Sequence, residues 1–138
     1  MKIVCLSTES KWTDSELANL KKLGAFVQIS TPPQSEVETI KLLEDADYAI
    51  VAPLPFGRLS AKIIESSPKL KGISIVTTRF AWVDIEPARK KRIVVSNLPG
   101  YSTVSVAELA LGLMLDVSRK IGLSRASTRT GNRTFDGY

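Results

Sequence analysis

The sequence predicts an α/β fold: a doubly wound parallel sheet of five strands, followed by a long apolar helix. Five short apolar runs alternate with segments that carry helix signals, and the connections are long enough for right-handed crossovers. This alternation is typical of a parallel sheet with helices on both faces. At 138 residues, the chain is long enough to bury a hydrophobic core.

The first three strands are predicted from the apolar runs at residues 3–6, 25–29 and 48–51. Between the first two, residues 13–16 start a helix that stops at Gly24. A second helix is predicted over residues 35–43. Pro53 and Pro55 then close the third strand.

The next elements are a short helix at residues 60–65, a strand at 73–76, a helix capped by Asp84 that runs to about Lys91, and a strand at 93–95. For five such strands the expected order is 2-1-3-4-5, as in flavodoxin-like domains. Pro99 and Gly100 break the chain after the fifth strand. We therefore expect one domain at residues 1–100 and the beginning of another at 101–138.

The late helix carries an unusually wide apolar surface. Ser105 and Glu108 have capping-box spacing, with Val104 and Leu109 placed as a hydrophobic staple, which predicts a helix from Ser105 to about Ile121. Its apolar residues cover an arc of roughly 200°, twice the usual core-facing width of about 100°. We expect this second apolar face to drive self-association through residues 104–121, as a homodimer or a swapped oligomer.

Composition and charge exclude several classes of protein. The net charge of +5 is concentrated at residues 89–92 and in the tail, without interleaved aromatic residues, so we expect no nucleic-acid partner. The sequence has no run of 18 apolar residues and no signal-peptide pattern, so we expect no membrane association. The single cysteine, Cys5, cannot form an internal disulfide, and we expect a cytoplasmic protein.

The sequence also lacks recognisable catalytic machinery. Histidine is absent, and no two of the eight glycines are spaced as G-x-G, so there is neither a dinucleotide fingerprint nor a P-loop. No cluster of Asp, Glu or Cys has metal-ligand spacing, so no metal site is expected. From the residues alone, the chain carries parts of a binding cleft and no catalytic residue.

Several runs resemble the D-2-hydroxyacid dehydrogenase family, which includes glyoxylate, hydroxypyruvate and phosphoglycerate dehydrogenases. The most specific is N-x-P-G-Y-S-T-x-S-V-A-E at residues 97–108, and it is preceded by similar runs at 67–73, 83–88 and 93–96. The resemblance implies that residues 1–100 form the flavodoxin-like substrate domain. It also implies that residues 101–138 begin an NAD(P)-binding domain, with 132–138 leading to its fingerprint strand.

The same resemblance implies which residues bind ligands. Leu54, Arg79 and Asn97 match positions near the substrate, a small 2-keto or 2-hydroxy acid, and Thr78 and Thr103 match positions near the cofactor. The family's catalytic arginine, glutamate and histidine lie beyond this sequence. The complete enzyme would use NAD or NADP, and we expect this chain alone to bind neither and to be inactive.

Arg79 departs from the family pattern, which usually has glycine there, and Ala81 and Trp82 replace polar residues. An arginine at this position either blocks the cleft or offers a salt bridge to an acidic ligand. Two interpretations therefore stay open: the N-terminal part of a dehydrogenase, or a non-catalytic flavodoxin-like module that binds a small ligand or regulates another protein.

Overall fold

The computed structural model describes residues 1–9 and 11–131, in which five parallel strands alternate with helices. The strands are β1 (Lys2–Cys5), β2 (Ala25–Gln28), β3 (Tyr48–Val51), β4 (Gly72–Ile75) and β5 (Val94–Ser96). The helices are α1 (Asp14–Leu23), α2 (Glu36–Leu43), α3 (Ala61–Glu65), α4 (Ile85–Lys90), α5 (Thr103–Arg119) and α6 (Ile121–Arg129). The strand order is β2-β1-β3-β4-β5, which confirms the predicted fold class and topology.

The chain divides into two compact units, Met1–Pro99 and Gly100–Tyr138. The first holds the whole sheet with α1 to α4, and the second holds α5 and α6. The expected lead-in to a fingerprint strand at residues 132–138 lies outside the described residues. In the part that the structure describes, no helix is both long and apolar enough to cross a membrane.

Local signals explain where α1 begins and ends. The Thr13 hydroxyl accepts a hydrogen bond from the Glu16 amide at 3.3 Å, and the Glu16 carboxylate accepts one from the Thr13 amide at 2.7 Å. At the other end, a Cβ on Gly24 would lie 2.1 Å from the carbonyl oxygen of Met1. Only glycine allows the chain to pass so close to the start of β1.

One face of the sheet is buried under α2, α3 and α4. Val4, Ala49 and Ile73 lie in register on neighbouring strands, and each is at most 2% exposed. They belong to one apolar cluster with side chains of the three helices, including Leu43 of α2 and Ile63 of α3. Burial of this face supplies the main stabilisation of the first unit.

The opposite face is covered only in part. Near β2, Trp12 packs edge-on against Phe26 with ring centroids 5.7 Å apart, and Cys5 is fully buried. Toward β5 the face is open, because Val94 is 70% exposed and Tyr48, two strands away in the same register, is 39% exposed. The expected cover by helices on both faces is therefore complete on one face only.

The Asp84 side chain bonds to residues far away in the sequence instead of capping the helix that follows it. The sequence predicts that it caps the following helix, and it does occupy the N-cap position of α4, but its side chain makes no capping hydrogen bond. Its carboxylate instead accepts hydrogen bonds from the Ala61 amide at 2.8 Å and from the guanidinium of Arg58. The Arg58 hydrogen bond in particular lowers the pKa of Asp84.

The start of α5 also differs from the prediction. The helix begins at Thr103, with Ser102 as its N-cap residue, so Ser105 and Glu108 lie inside the helix and the capping box predicted for them is wrong. The helix ends at Arg119, not at Ile121, because Lys120 adopts a left-handed conformation with a φ of 51°. A second helix, α6, then follows, which the sequence analysis did not anticipate.

Asp47 holds the starts of three strands together. Its carboxylate accepts a hydrogen bond from the Lys2 amide at 2.8 Å and forms an ion pair with the Lys71 ammonium at 2.6 Å. The Lys71 hydrogen bond, followed by that of the Lys2 amide, lowers the pKa of Asp47 below its ordinary 3.8. A lowered folded-state pKa means that the contribution to stability is present above that ordinary value and is lost as the pH falls through the folded-state value.

Asp47→Asn should therefore be less stable than the parent chain at neutral pH, and the difference in free energy of unfolding should shrink as the pH falls below about 4. Urea denaturation at a series of pH values measures this difference. If the difference in free energy of unfolding between the two proteins stays constant down to acid pH, the proposed role of the Asp47 carboxylate is wrong.

The two faces of the sheet should respond differently to the same substitution. Val51→Thr places a hydroxyl in the buried cluster and should cost about 1–3 kcal/mol of stability, because Val51 is fully buried. Val94→Thr on the open face should cost less than about 0.5 kcal/mol. Urea denaturation of the two matched variants checks this, and equal losses would show that the face around Val94 is covered in solution.

Candidate functional site

Loops at the carboxyl ends of the strands form the candidate site. In a doubly wound sheet, ligands bind at this edge. Here it comprises residues 6–9 after β1, 52–57 after β3, 76–82 after β4 and 97–99 after β5. The core under the sheet fixes where each strand ends and so brings these loops to the same edge.

The loops after β4 and β5 hold each other through three hydrogen bonds. The Thr78 hydroxyl donates to the Leu98 carbonyl at 3.0 Å, and the Asn97 side-chain amide donates to the Thr78 carbonyl at 2.9 Å. The Leu98 amide donates to the Thr77 carbonyl at 3.2 Å. Thr78 and Asn97, predicted as ligand-binding residues, are thus brought together and fix each other's loops.

The backbone around Arg79 is fixed as well. Its carbonyl accepts hydrogen bonds from the Thr77 hydroxyl at 2.8 Å and from the Trp82 indole at 2.9 Å. Trp82 itself packs against the apolar core. In the described residues, the non-glycine positions with positive φ are Arg92 and Lys120, so the backbone at Arg79 does not require glycine.

The Arg79 side chain gives this edge a positive charge. It is exposed, and it forms no ion pair with any residue that the structure describes. Among residues 76–82 and 97–99, the loops after β4 and β5, Arg79 is the one charged residue. In the loop at residues 6–9, the charged residue is Glu9. A guanidinium can bind an anion but does not exchange a proton near neutral pH, so the loops after β4 and β5 suit anion binding and not proton transfer.

Leu54 lies in the neighbouring loop, beside a cavity of about 370 Å³ that residues 6–9 and 52–55 line together with Pro32. Its side chain is only 5% exposed and belongs to the apolar core. Its carbonyl accepts a hydrogen bond from the Gly57 amide at 2.8 Å. Any contact of Leu54 with a ligand would therefore involve mainly its backbone.

Thr103 belongs to the second unit of the chain. It is the first residue of α5, in the second unit, where its amide donates to the Gly100 carbonyl at 3.4 Å. The structure thus groups Thr78, Arg79 and Asn97, with Leu54 one loop away. It adds Thr77 and the Leu98 carbonyl, which the sequence analysis missed. Thr77 could have been found from the sequence, because it stands next to the predicted Thr78.

No metal site is apparent: the described residues contain no cluster of three or more His, Cys, Asp or Glu side chains that could hold an ion. The groups offered by the loops after β4 and β5 are hydroxyls, amides, backbone N–H groups and one guanidinium. These are groups that bind and orient a small anionic ligand.

Comparison with known proteins identifies the family. The family model for the catalytic domain of D-isomer specific 2-hydroxyacid dehydrogenases matches residues 3–135. The chain belongs to this family. Among its relatives, D-3-phosphoglycerate dehydrogenase of Methanocaldococcus jannaschii is 35% identical over 112 residues, and hydroxypyruvate reductase of Thermotoga maritima is 31% identical over 118.

A solved structure shares the fold of this chain. An acyclic imino acid reductase in complex with NADPH and D-Arg superposes with a TM-score of 0.86 at 28% identity, covering 99% of this dehydrogenase-family chain and 43% of the other. The two curated relatives match over 81% and 86% of this chain but only 21% and 38% of their own lengths. The chain thus spans a fifth to two-fifths of the length of these relatives.

The reciprocal bonds between the two loops of this dehydrogenase-family domain can be tested by hydrogen exchange. Asn97→Ala removes the donor to the Thr78 carbonyl, and a hydrogen bond of this kind contributes about 0.5–1.5 kcal/mol. Exchange of the Leu98 amide should therefore accelerate by about twofold to tenfold. Ser96→Ala, at an exposed neighbouring position, is the matched control. Equal exchange rates in the two variants would show that Asn97 does not hold the loops together.

Proposed function

We propose that residues 1–100 are the substrate domain of an NAD(P)-dependent D-2-hydroxyacid dehydrogenase and that residues 101–138 begin its cofactor domain. The main support is the match of residues 3–135 to the catalytic-domain model of that family. The division of the chain at Gly100 is consistent with this domain assignment. The reaction is hydride transfer between a nicotinamide cofactor and a small 2-keto or 2-hydroxy acid in the cytoplasm.

In this proposal, the carboxyl edge of the sheet binds the substrate. The backbone around Leu54 and the N–H of Arg79 hold the substrate carboxylate, because backbone N–H groups bind anions whatever side chain they carry. Asn97 keeps the second loop in place beside it. Thr78 and Thr103 approach the cofactor, NAD or NADP, and the Thr78 hydroxyl keeps lone pairs free to accept a hydrogen bond while it donates to Leu98.

If residues 1–100 only bind the substrate, the chain is inactive by itself. Reduction of a keto acid needs a group that gives a proton to the carbonyl oxygen as hydride arrives at its carbon. Arg79 does not give up its proton near neutral pH, and the sequence has no histidine. Glu9 follows β1, two strands away from β4 and the Arg79 loop. The proton donor and the fingerprint for the cofactor would come from the remainder of a complete enzyme.

The purified chain should not oxidise NADH or NADPH with glyoxylate or hydroxypyruvate, measured by absorbance at the nicotinamide band. A chimera in which this chain replaces the matching 118 residues of the T. maritima hydroxypyruvate reductase should reduce a keto acid. Turnover by the chain alone would contradict the proposed inactivity. A folded chimera that binds cofactor but turns over no keto acid would favour the alternative of a non-catalytic module.

We also propose that the chain self-associates through residues 104–121. Large apolar side chains of α5 are 51–77% exposed, including Leu109, Leu113, Met114 and Val117. Burial of one such side chain contributes roughly 1.5–3 kcal/mol of stabilisation, which is lost when the side chain stays in water. Five of them would approach the whole stability of a domain, about 5–15 kcal/mol. A second copy of the helix would cover them.

Met114→Lys, at the centre of the apolar arc, should shift the chain from a dimer or larger oligomer to a monomer in light scattering at micromolar concentration. Ser105→Lys introduces the same charge on the polar stripe of α5 and should leave the oligomer unchanged. If the parent chain is monomeric with α5 ordered, or if both variants dissociate equally, the proposed interface is wrong.

A further inference from the structure

A second cleft, of about 730 Å³, runs along the edge strand β2 on the face of the sheet that α2 covers. Val4 of β1 and Val27 of β2 are paired in register and form its floor, and Leu42 of α2 contributes a wall. The rest is lined by residues 28–34 and by Lys2, Glu38 and Lys41. Small-molecule sites in proteins usually occupy about 300–1,000 Å³. The cleft therefore has the size of a ligand site, and it lies wholly within the first unit.

The wall made by residues 29–34 is held in place without a ligand. The Gln34 amide donates to the Glu38 carboxylate at 2.7 Å, and the Gln34 side chain donates to the Pro32 carbonyl at 2.8 Å. Pro33 is buried, and Ser35 caps α2 by accepting from the Glu38 amide at 3.3 Å. A ligand would find the cleft already formed and would lose little free energy in ordering this loop.

The lining combines an apolar floor with one available cation. Val27 is 43% exposed although it lies in the sheet, so apolar surface faces the cleft. The Lys2 ammonium is paired with Asp45 at 2.6 Å, and the Glu38 carboxylate already accepts the Gln34 amide. Lys41 lines the same cleft and forms no ion pair within the part of the chain that the structure describes.

We propose that this cleft binds a small organic carboxylate with an apolar body. The carboxylate pairs with the Lys41 ammonium, and the hydrocarbon part lies against Val27 and Leu42. Pro32 lines both this cleft and the cavity beside Leu54, so an occupant would touch a wall shared with the carboxyl edge of the sheet. The inference rests on the geometry of the first unit and not on the proposed dehydrogenase activity.

An NMR titration of the full ¹⁵N-labelled chain with 4-phenylbutyrate tests the proposal, with 4-phenylbutanamide as the matched uncharged probe. The carboxylate should cause saturable shifts of backbone amides in residues 27–34 and 38–42. The uncharged probe should bind about fivefold more weakly, the upper range for one exposed ion pair. Equal binding of the two probes, saturable shifts elsewhere, or no saturable shifts would overturn the proposal.

Variants then locate the two parts of the site. Lys41→Gln should weaken 4-phenylbutyrate about fivefold and leave 4-phenylbutanamide unaffected. Lys62→Gln removes an exposed lysine of α3 outside the cleft and should change neither affinity. Val27→Trp should fill the floor and weaken both probes by more than about tenfold, or about 1.4 kcal/mol. Equal weakening by Lys41→Gln and Lys62→Gln would overturn the proposal even if Val27→Trp failed to fold.

Discussion

Burial of one sheet face under three helices is the constraint on which the first unit depends. Val4, Ala49 and Ile73 meet in register across β1, β3 and β4, and α2 to α4 close over them. A parallel sheet whose face is packed in this way cannot shift register without moving its apolar side chains to the other face. The ends of the strands are fixed as a result, and with them the loops that carry the candidate site.

Charged side chains support this frame from outside the core. Lys91 is an example: its ammonium donates to the carbonyls of Ile64, Glu65 and Ser67 at 2.9–3.1 Å, at the end of α3. The Ile64 and Ser67 carbonyls also accept the backbone amides of Ser67 and Leu70, and a cation is favourable at the end of a helix. In the sequence, Lys91 is one member of a basic run that resembles an ordinary solvated surface. Its role becomes visible only when α3 and α4 lie side by side.

At the carboxyl edge, the loops after β4 and β5 are held by hydrogen bonds to each other. The family resemblance predicts that Thr78 and Asn97 bind ligands. In the structure, both side chains donate hydrogen bonds to the neighbouring loop. These bonds hold in place the backbone N–H groups that would face an anion. Arg79 adds a charge where relatives are expected to have glycine, on a backbone that accepts any residue. The family model for the catalytic domain of D-isomer specific 2-hydroxyacid dehydrogenases matches residues 3–135, which include the loops of this edge.

The sequence by itself determined the order of strands and helices in the first unit, the parallel arrangement of the strands and the family. Apolar periodicity and caps such as that of Thr13 and Glu16 depend on residues a few positions apart, so they can be read locally. The tertiary structure decided what depends on distant partners. Asp84 turns to Ala61 and Arg58, more than twenty residues away, instead of capping its own helix.

Contacts between residues from different elements also explain the other differences between the prediction and the structure. Ser105 and Glu108 have the spacing of a capping box, but the turn around Gly100 starts α5 earlier, at Thr103, and places both residues inside the helix. The cleft beside β2 has no sequence signal, because Val27 and Lys41 face it from separate elements. Local chemistry fixed the elements, and packing between elements decided which side chains meet and which surfaces stay open.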